Sequence, residues 1–297
     1  MTIFDWCRHC GVHKPMTEEH LPPRAAGNAS PITVYTERDG MLAVLRSYQD
    51  GHTIPSLCLA CNNGAGDRGL PQAYALWRDD TIGHLQRAAA GFHHVTGQPH
   101  NDMFWVFKDT GAFTLPMEHG RGLGTEHLVT LNPSRIIRQV LGMIMAVQDS
   151  RHLLDVYPQL VSAYRSDKPA SIEPLTVHVA LANVDLGYFR NGVLSVSVDL
   201  TGQATSSSTQ FWAVAFPPFL IFLANGSKPP IEATRIDQWL AYPAGNAFSK
   251  RDRKIVYPIA DPRELLVRKL YQDQAALNSS VGRHMYPLPD TQESVTG

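Results

Sequence analysis

Apolar positions fall into short runs over the first third of the chain and into helical spacing beyond it. Ile32-Thr-Val-Tyr-Thr and Met41-Leu-Ala-Val-Leu have the composition of strands, and Asp39-Gly40 between them is a strong hairpin turn signal. From residue 70 to 92 the spacing predicts a helix, with Leu70, Ala73, Leu76 and Trp77 on one face. Met103–Phe107 and Ala112–Leu115 predict short strands. Asn132-Pro133 then opens a helix, because Asn can cap and Pro suits the first turn. Ile136, Ile137, Val140, Leu141 and Ile144 form its apolar stripe.

Residues 152 to 165 predict a further helix, bent at Pro158. Strands are expected at 174–183, 186–190, 193–200 and 209–223, with Asn191-Gly192 turning a hairpin. Asp261-Pro262-Arg-Glu264 has the form of a capping box. It would open a final helix through about Leu277, with Leu265, Leu266, Lys269 and Leu270 at helical spacing. The pattern is that of an α+β protein. It divides into a first segment, residues 1–66, a connector or cover over 67–130, a mixed helix and antiparallel-sheet domain over 131–282, and a tail over 283–297.

Composition narrows the picture. Hydrophobic residues make up 43% and charged residues 18% of 297, as in ordinary globular chains. The longest nearly apolar stretch, Phe211 to Ala224, is interrupted by Pro217-Pro218. It is shorter than the roughly 20 residues a membrane helix needs, so no membrane partner is expected. The net charge is −1, and residues 1–70 carry six Lys or Arg against seven Asp or Glu, so no bulk positive field draws in nucleic acid. A divalent metal would add positive charge that such a count omits. Met1-Thr-Ile-Phe-Asp-Trp lacks the basic start and apolar run of a secretory signal, which leads to the expectation of a cytoplasmic, reducing location.

That expectation bears on the four cysteines, Cys7-Arg-His-Cys10 and Cys58-Leu-Ala-Cys61. Two Cys-x-x-Cys pairs can supply four thiolates to one tetrahedral zinc. The opposing readings, two disulfides or four unrelated buried thiols, fit the spacing and the compartment less well. A segment as short as 1–66 commonly needs a staple, and structural zinc would be that staple. His9 and His13 read as solvated loop residues rather than replacement ligands, since four thiolates already complete the set.

Between the knuckles lies Glu19-His20-Leu-Pro-Pro, and Asn62 stands directly behind the last cysteine. A hard divalent cation such as Mg²⁺ or Mn²⁺ needs oxygen ligands, which Glu19 and Asn62 can offer. His20 can act as general base, a neutral imidazole removing a proton from water near neutral pH. Taken singly these residues carry little information: His20 could be a partly buried histidine, and Asn62 a helix cap.

Together, Cys7-x-x-Cys10, Glu19-His20-x-Pro-Pro and Cys58-x-x-Cys61-Asn62-Asn63 resemble the HNH, or His-Me finger, nucleases of ββα-metal fold, in the zinc-knuckle form that includes a phage junction resolvase. The resemblance covers about the first 65 residues. It implies an endonuclease that hydrolyses phosphodiester bonds in nucleic acid, DNA foremost. Glu19 and Asn62 would hold a Mg²⁺-like ion, His20 would activate water, and Cys7, Cys10, Cys58 and Cys61 would form a separate structural zinc site. Two positions depart from the family's pattern. The Asn that often braces the histidine loop is here Thr53, with His52 beside it, and the acidic residue is Glu rather than the more frequent Asp. Defence, restriction or recombination are the roles such a resemblance suggests.

Lys250-Arg251-Asp-Arg253-Lys254 is the densest basic run and a candidate grip on a nucleic-acid backbone, against the reading of a solvated loop. His93, His94, His100, His119 and His127 show no metal-ligand spacing. Two other functions compete. One is a zinc-fold protein with little or no turnover that binds nucleic acid or a protein partner. The other is a zinc-ribbon scaffold whose C-terminal domain senses a small ligand or mediates homo-oligomerisation or protein pairing.

Overall fold

The computed structural model describes residues 3–29, 32–38, 41–96, 112–116, 130–148, 152–182, 188–197, 206–216, 218–226, 229, 231–249, 254–260 and 280–281. Strand β1 (Phe4–Trp6) pairs antiparallel with β2 (His13–His20), and β2 pairs antiparallel with β5 (Thr53–Cys58). This three-stranded sheet, in the order β1-β2-β5, runs directly into helix α1 (Leu59–Asp67). Two strands that matter chemically and the helix behind them therefore follow one another in space, although 32 residues separate β2 from β5 in the chain.

Those intervening residues carry β3 (Ile32–Arg38) and β4 (Met41–Tyr48), paired antiparallel with Arg38 opposite Met41, as the turn signal predicts. The hairpin does not extend the small sheet. It belongs to a larger one whose order continues through β13 (Ser280–Val281), β8 (Tyr188–Ser197), β9 (Ser206–Phe216), β10 (Phe219–Asn225), β7 (Leu175–Ala182), β12 (Lys254–Ala260) and β6 (Ala112–Pro116). β11 (Thr234–Arg235) adds to β7. Pairing is antiparallel throughout except where β12 meets β7. The architecture is mixed α+β with antiparallel sheets.

Two expected strand boundaries differ from what the chain adopts. Asn191-Gly192 is not a turn: it lies within β8, with Asn191 opposite Trp212 and Gly192 opposite Phe211. The pairing available along the whole of β9 overrides the local turn preference. The run 209–223 is not one strand but two, β9 and β10, paired with Phe216 opposite Phe219. Proline cannot donate to a ladder, and Pro218 stands at this reversal. The expected strand at 103–107, the helix opened at Asp261, the residues Asp39-Gly40 and the tail lie outside the described residues.

Helix α2 (Leu70–Thr96) buries Leu70, Ala73, Tyr74, Trp77 and Leu85, whereas Leu76, expected on that face, is exposed. Its Trp77 stacks on Phe219 at 3.8 Å between ring centroids, nearly parallel, and donates through Nε1 to the Tyr257 hydroxyl. Helix α3 (Pro133–Ala146) begins as expected, with the Asn132 side chain accepting from the Arg135 amide. It is buried on nearly every side rather than along one stripe, polar Ser134, Arg138 and Gln139 included. The Arg138 guanidinium is satisfied by the carbonyls of Ser134, Ser166 and Lys168, which ties α3 to the loop beyond α5. The bend at Pro158 separates α4 (His152–Val156) from α5 (Gln159–Arg165).

Candidate functional site

The two knuckles close on one point. In the first, Cys7 ends the segment after β1. The Cys7 amide donates to the Val12 carbonyl and the Gly11 amide to the Cys7 carbonyl, a tight reversal for which Gly11 takes φ 67°. In the second, Cys58 ends β5 and Cys61 sits in the first turn of α1. The four sulfur atoms lie within 4.8 Å of one another, and Cys10 and Cys58 are 3.9 Å apart. A tetrahedron with metal–sulfur bonds of about 2.3 Å has edges of roughly 3.8 Å, so the four cysteines could hold a metal ion, compatible with zinc. All four are free thiols.

Electrostatics at this cluster agree with that chemistry. The Cys7 thiol is pulled well below its ordinary range, chiefly by a hydrogen bond from Cys61 and then by backbone amides, against the effect of burial. Cys61 is pushed up by the same bond and by burial. Cys10 is raised chiefly by burial and also by Cys7, against hydrogen bonds with the Val12 backbone and Cys61. One thiolate is readily formed and further ones are disfavoured, the situation that a divalent cation relieves.

The two histidines beside the cluster lie in opposite environments. His9 is not a solvated loop residue, being 3% exposed. Its Nε2 faces the Gly142 carbonyl of α3 at 3.0 Å, and its ring lies 4.3 Å from that of Tyr164. Burial holds it neutral, with a pKa lowered to about 4. His13 is exposed and packs its ring against Phe4 and Trp6.

Glu19 and His20 end β2, opposite Ile54 and Thr53 of β5. Glu19 is buried, and burial alone raises its carboxyl to about 7. No hydrogen bond or ion pair reaches that carboxylate among the described residues. His20 is partly exposed, and its Nε2 lies 3.0 Å from the Asp50 carbonyl oxygen. A carbonyl only accepts, so Nε2 carries the proton and the Nδ1 lone pair is the basic one. Asn62, on α1, donates through Nδ2 to the Thr17 hydroxyl at 3.1 Å and to the Glu18 carbonyl at 3.3 Å. Its amide nitrogen is thus held against β2 and its oxygen remains the donor atom for a cation. Asn62 is not the cap of α1, whose N-cap position is Cys58.

The loop that carries His20 is held by His52, which the sequence places beside the expected bracing position, and by Asn28, which the sequence pattern did not single out. Thr53 does not serve, because its hydroxyl donates to the Glu18 carboxylate. His52 does: its Nδ1 donates to the carbonyl of Leu21, the residue after His20, at 3.1 Å, and its own carbonyl accepts from the Leu21 amide. Asn28 completes the clamp. Its Nδ2 donates to the carbonyls of Pro22 and His52, and its Oδ1 accepts from the His52 amide. Gly51 makes room, with φ +90° and a position where a Cβ would come 2.2 Å from the Asn28 carbonyl oxygen. The turn 50–52 therefore grips both the imidazole of His20 and the backbone that follows it. An Asn-Ala pair eight residues after His20 carries no recognisable signal; only the closed loop reveals Asn28.

Lys254 is exposed at the start of β12, and Lys250, Arg251 and Arg253 lie outside the described residues. No helix among the described residues is long and apolar enough to cross a membrane. No protein-family model, curated protein or solved structure matches this chain.

Proposed function

We propose that this chain is a metal-dependent endonuclease of HNH type, hydrolysing phosphodiester bonds in nucleic acid, with DNA as the expected substrate. The observation that carries the reading is the pairing of a tautomer-fixed His20 with the buried, unpartnered carboxylate of Glu19. A buried carboxylate with no partner is costly, and such groups are commonly kept where a cation binds. Glu19 and the Asn62 side-chain oxygen are hard donors suited to Mg²⁺ or Mn²⁺. When bound, that ion would polarise the scissile phosphate and stabilise the departing oxygen.

His20 performs the proton transfer. Its Nδ1 removes a proton from water as the water oxygen forms a bond to phosphorus. The ester oxygen leaves with the electron pair of the broken bond and is protonated from solvent. The Nε2–H bond to Asp50 keeps the ring oriented and its basic nitrogen free. The four cysteines, as a structural zinc site, set the spacing between β2 and α1 and so between Glu19 and Asn62.

The deciding experiment incubates purified protein with plasmid, linear DNA and RNA in Mg²⁺ or Mn²⁺. Cleavage by the parent and none by a folded His20→Ala protein supports the reading; equal cutting by both removes the assigned base. Thr53 at the family's bracing position, with its hydroxyl committed to the Glu18 carboxylate, and the absence of a basic balance over residues 1–70 favour a second reading, a weakly active protein that holds nucleic acid or a protein partner. Binding without cleavage at any metal concentration would select it.

A further inference from the structure

We propose that Arg165 and His9 make the four-cysteine centre a joint between the N-terminal strands and helices α3 and α5, so that a metal held there fixes both. The inference rests on the metal reading of the cysteines and is independent of hydrolysis.

Each knuckle is gripped from the helices. In the first, the two residues between the cysteines both reach outward. Arg8 donates through Nε to the carbonyl of Gln148, just beyond α3, at 3.0 Å. His9 donates through Nε2 to the carbonyl of Gly142 and lies against Tyr164 of α5. The knuckle turn aims both side chains, so whatever holds the turn holds these contacts. Gly142 is what permits the approach. A Cβ there would stand 2.8 Å from Tyr164 Cε2 and 3.4 Å from His9 Cε1, the first closer than van der Waals contact allows.

In the second knuckle, Arg165 at the end of α5 donates through Nη2 to the Cys61 sulfur at 3.4 Å. Arg68, just past α1, donates to the Tyr164 carbonyl at 2.5 Å and lies over the Tyr164 ring, 4.8 Å from its centroid. A divalent cation with four thiolates bears a net charge of about −2, and a guanidinium donating to one of those sulfurs stabilises the loaded state. Binding linkage is reciprocal: if metal favours the docked helices, the docked helices favour metal.

The test uses the full chain purified with its metal. Zinc content is measured, then the rate of zinc transfer to an excess of chromophoric chelator, and then amide hydrogen exchange across 133–165 before and after stripping. Arg165 is solvent-exposed, so Arg165→Met, which keeps length without a donor, and Arg165→Lys, which keeps charge, should both fold. Arg165→Met is expected to release zinc about fivefold faster, with Arg165→Lys in between. Stripping metal from the parent should speed exchange in α3 and α5. Parental release rates in Arg165→Met, or exchange in α3 and α5 that ignores metal removal, would overturn the joint while leaving the zinc site standing. A folded parent without metal would remove both.

Discussion

Asn28 and His52 are tied by a reciprocal pair of hydrogen bonds, the His52 amide donating to Asn28 Oδ1 at 2.6 Å and Asn28 Nδ2 donating to the His52 carbonyl at 2.8 Å. A second bond from Asn28 Nδ2, to Pro22 at 2.7 Å, extends the tie to the loop behind His20.

Removing this clamp should lower activity through position rather than chemistry. Asn28→Ala leaves buried backbone groups unpartnered and is expected to cost about 2–4 kcal/mol. Cleavage should fall by about tenfold or more while the zinc content stays at the parental level. Gly51→Ala should be at least as damaging, because the left-handed backbone and the Asn28 carbonyl both oppose a Cβ. Denaturant melts and turnover measured on the same preparations check this; full activity in folded Asn28→Ala would show the loop to be held by other contacts.

Glu19→Gln separates stability from metal use. Replacing a buried, unpartnered carboxylate by its neutral isostere should raise the melting temperature of protein free of added Mg²⁺. The same change should weaken the dependence of cleavage on Mg²⁺ or abolish cleavage, since an amide binds the ion less well than a carboxylate. Thermal scans with and without the ion, beside a metal titration of activity, give both results. A variant less stable than the parent in the absence of the ion would show that Glu19 has a structural partner.

Metal removal should unfold the N-terminal sheet before the larger one. Cys61→Ser or exhaustive chelation is expected to lose one zinc per chain and most of the structure of β1, β2, β5 and α1, since such binding contributes on the order of 10 kcal/mol. Elemental analysis and exchange protection resolved by segment are the measurements. Full protection of residues 3–67 without metal would confine the cysteines to packing.

His178 makes acid stability testable. It is buried in β7 beside the Thr176 hydroxyl, and burial lowers its pKa from the ordinary 6.5. The unfolded chain therefore binds a proton there that the native state refuses. Stability is full above about pH 6.5 and falls as pH drops below it, until the native pKa is reached. His178→Gln should flatten that slope; His9, also lowered by burial, contributes in the same direction, and Glu19, raised by burial to about 7, in the opposite one. Stability measured between pH 7.5 and 5 decides it; an unchanged slope would locate the protons elsewhere.

Much of this protein was determined locally. The cysteine spacing specifies a four-sulfur cluster because two short knuckles can meet only where strand ends and a helix start converge. Asn132-Pro133 specifies a helix start because capping involves only neighbours in the chain. Tertiary structure decided what depends on partners far along it. Asn191-Gly192 is strand because β9 offers a ladder that outweighs a turn preference. Leu76 faces outward because the face that α2 buries follows Tyr74 and Trp77 against Phe219. His9 became a docking residue because Gly142, 133 positions away, admits its ring. Asn28 holds the histidine loop through groups that adjoin it only after β2 and β5 have paired, and no spacing rule connects residues whose contact exists only once the chain has closed.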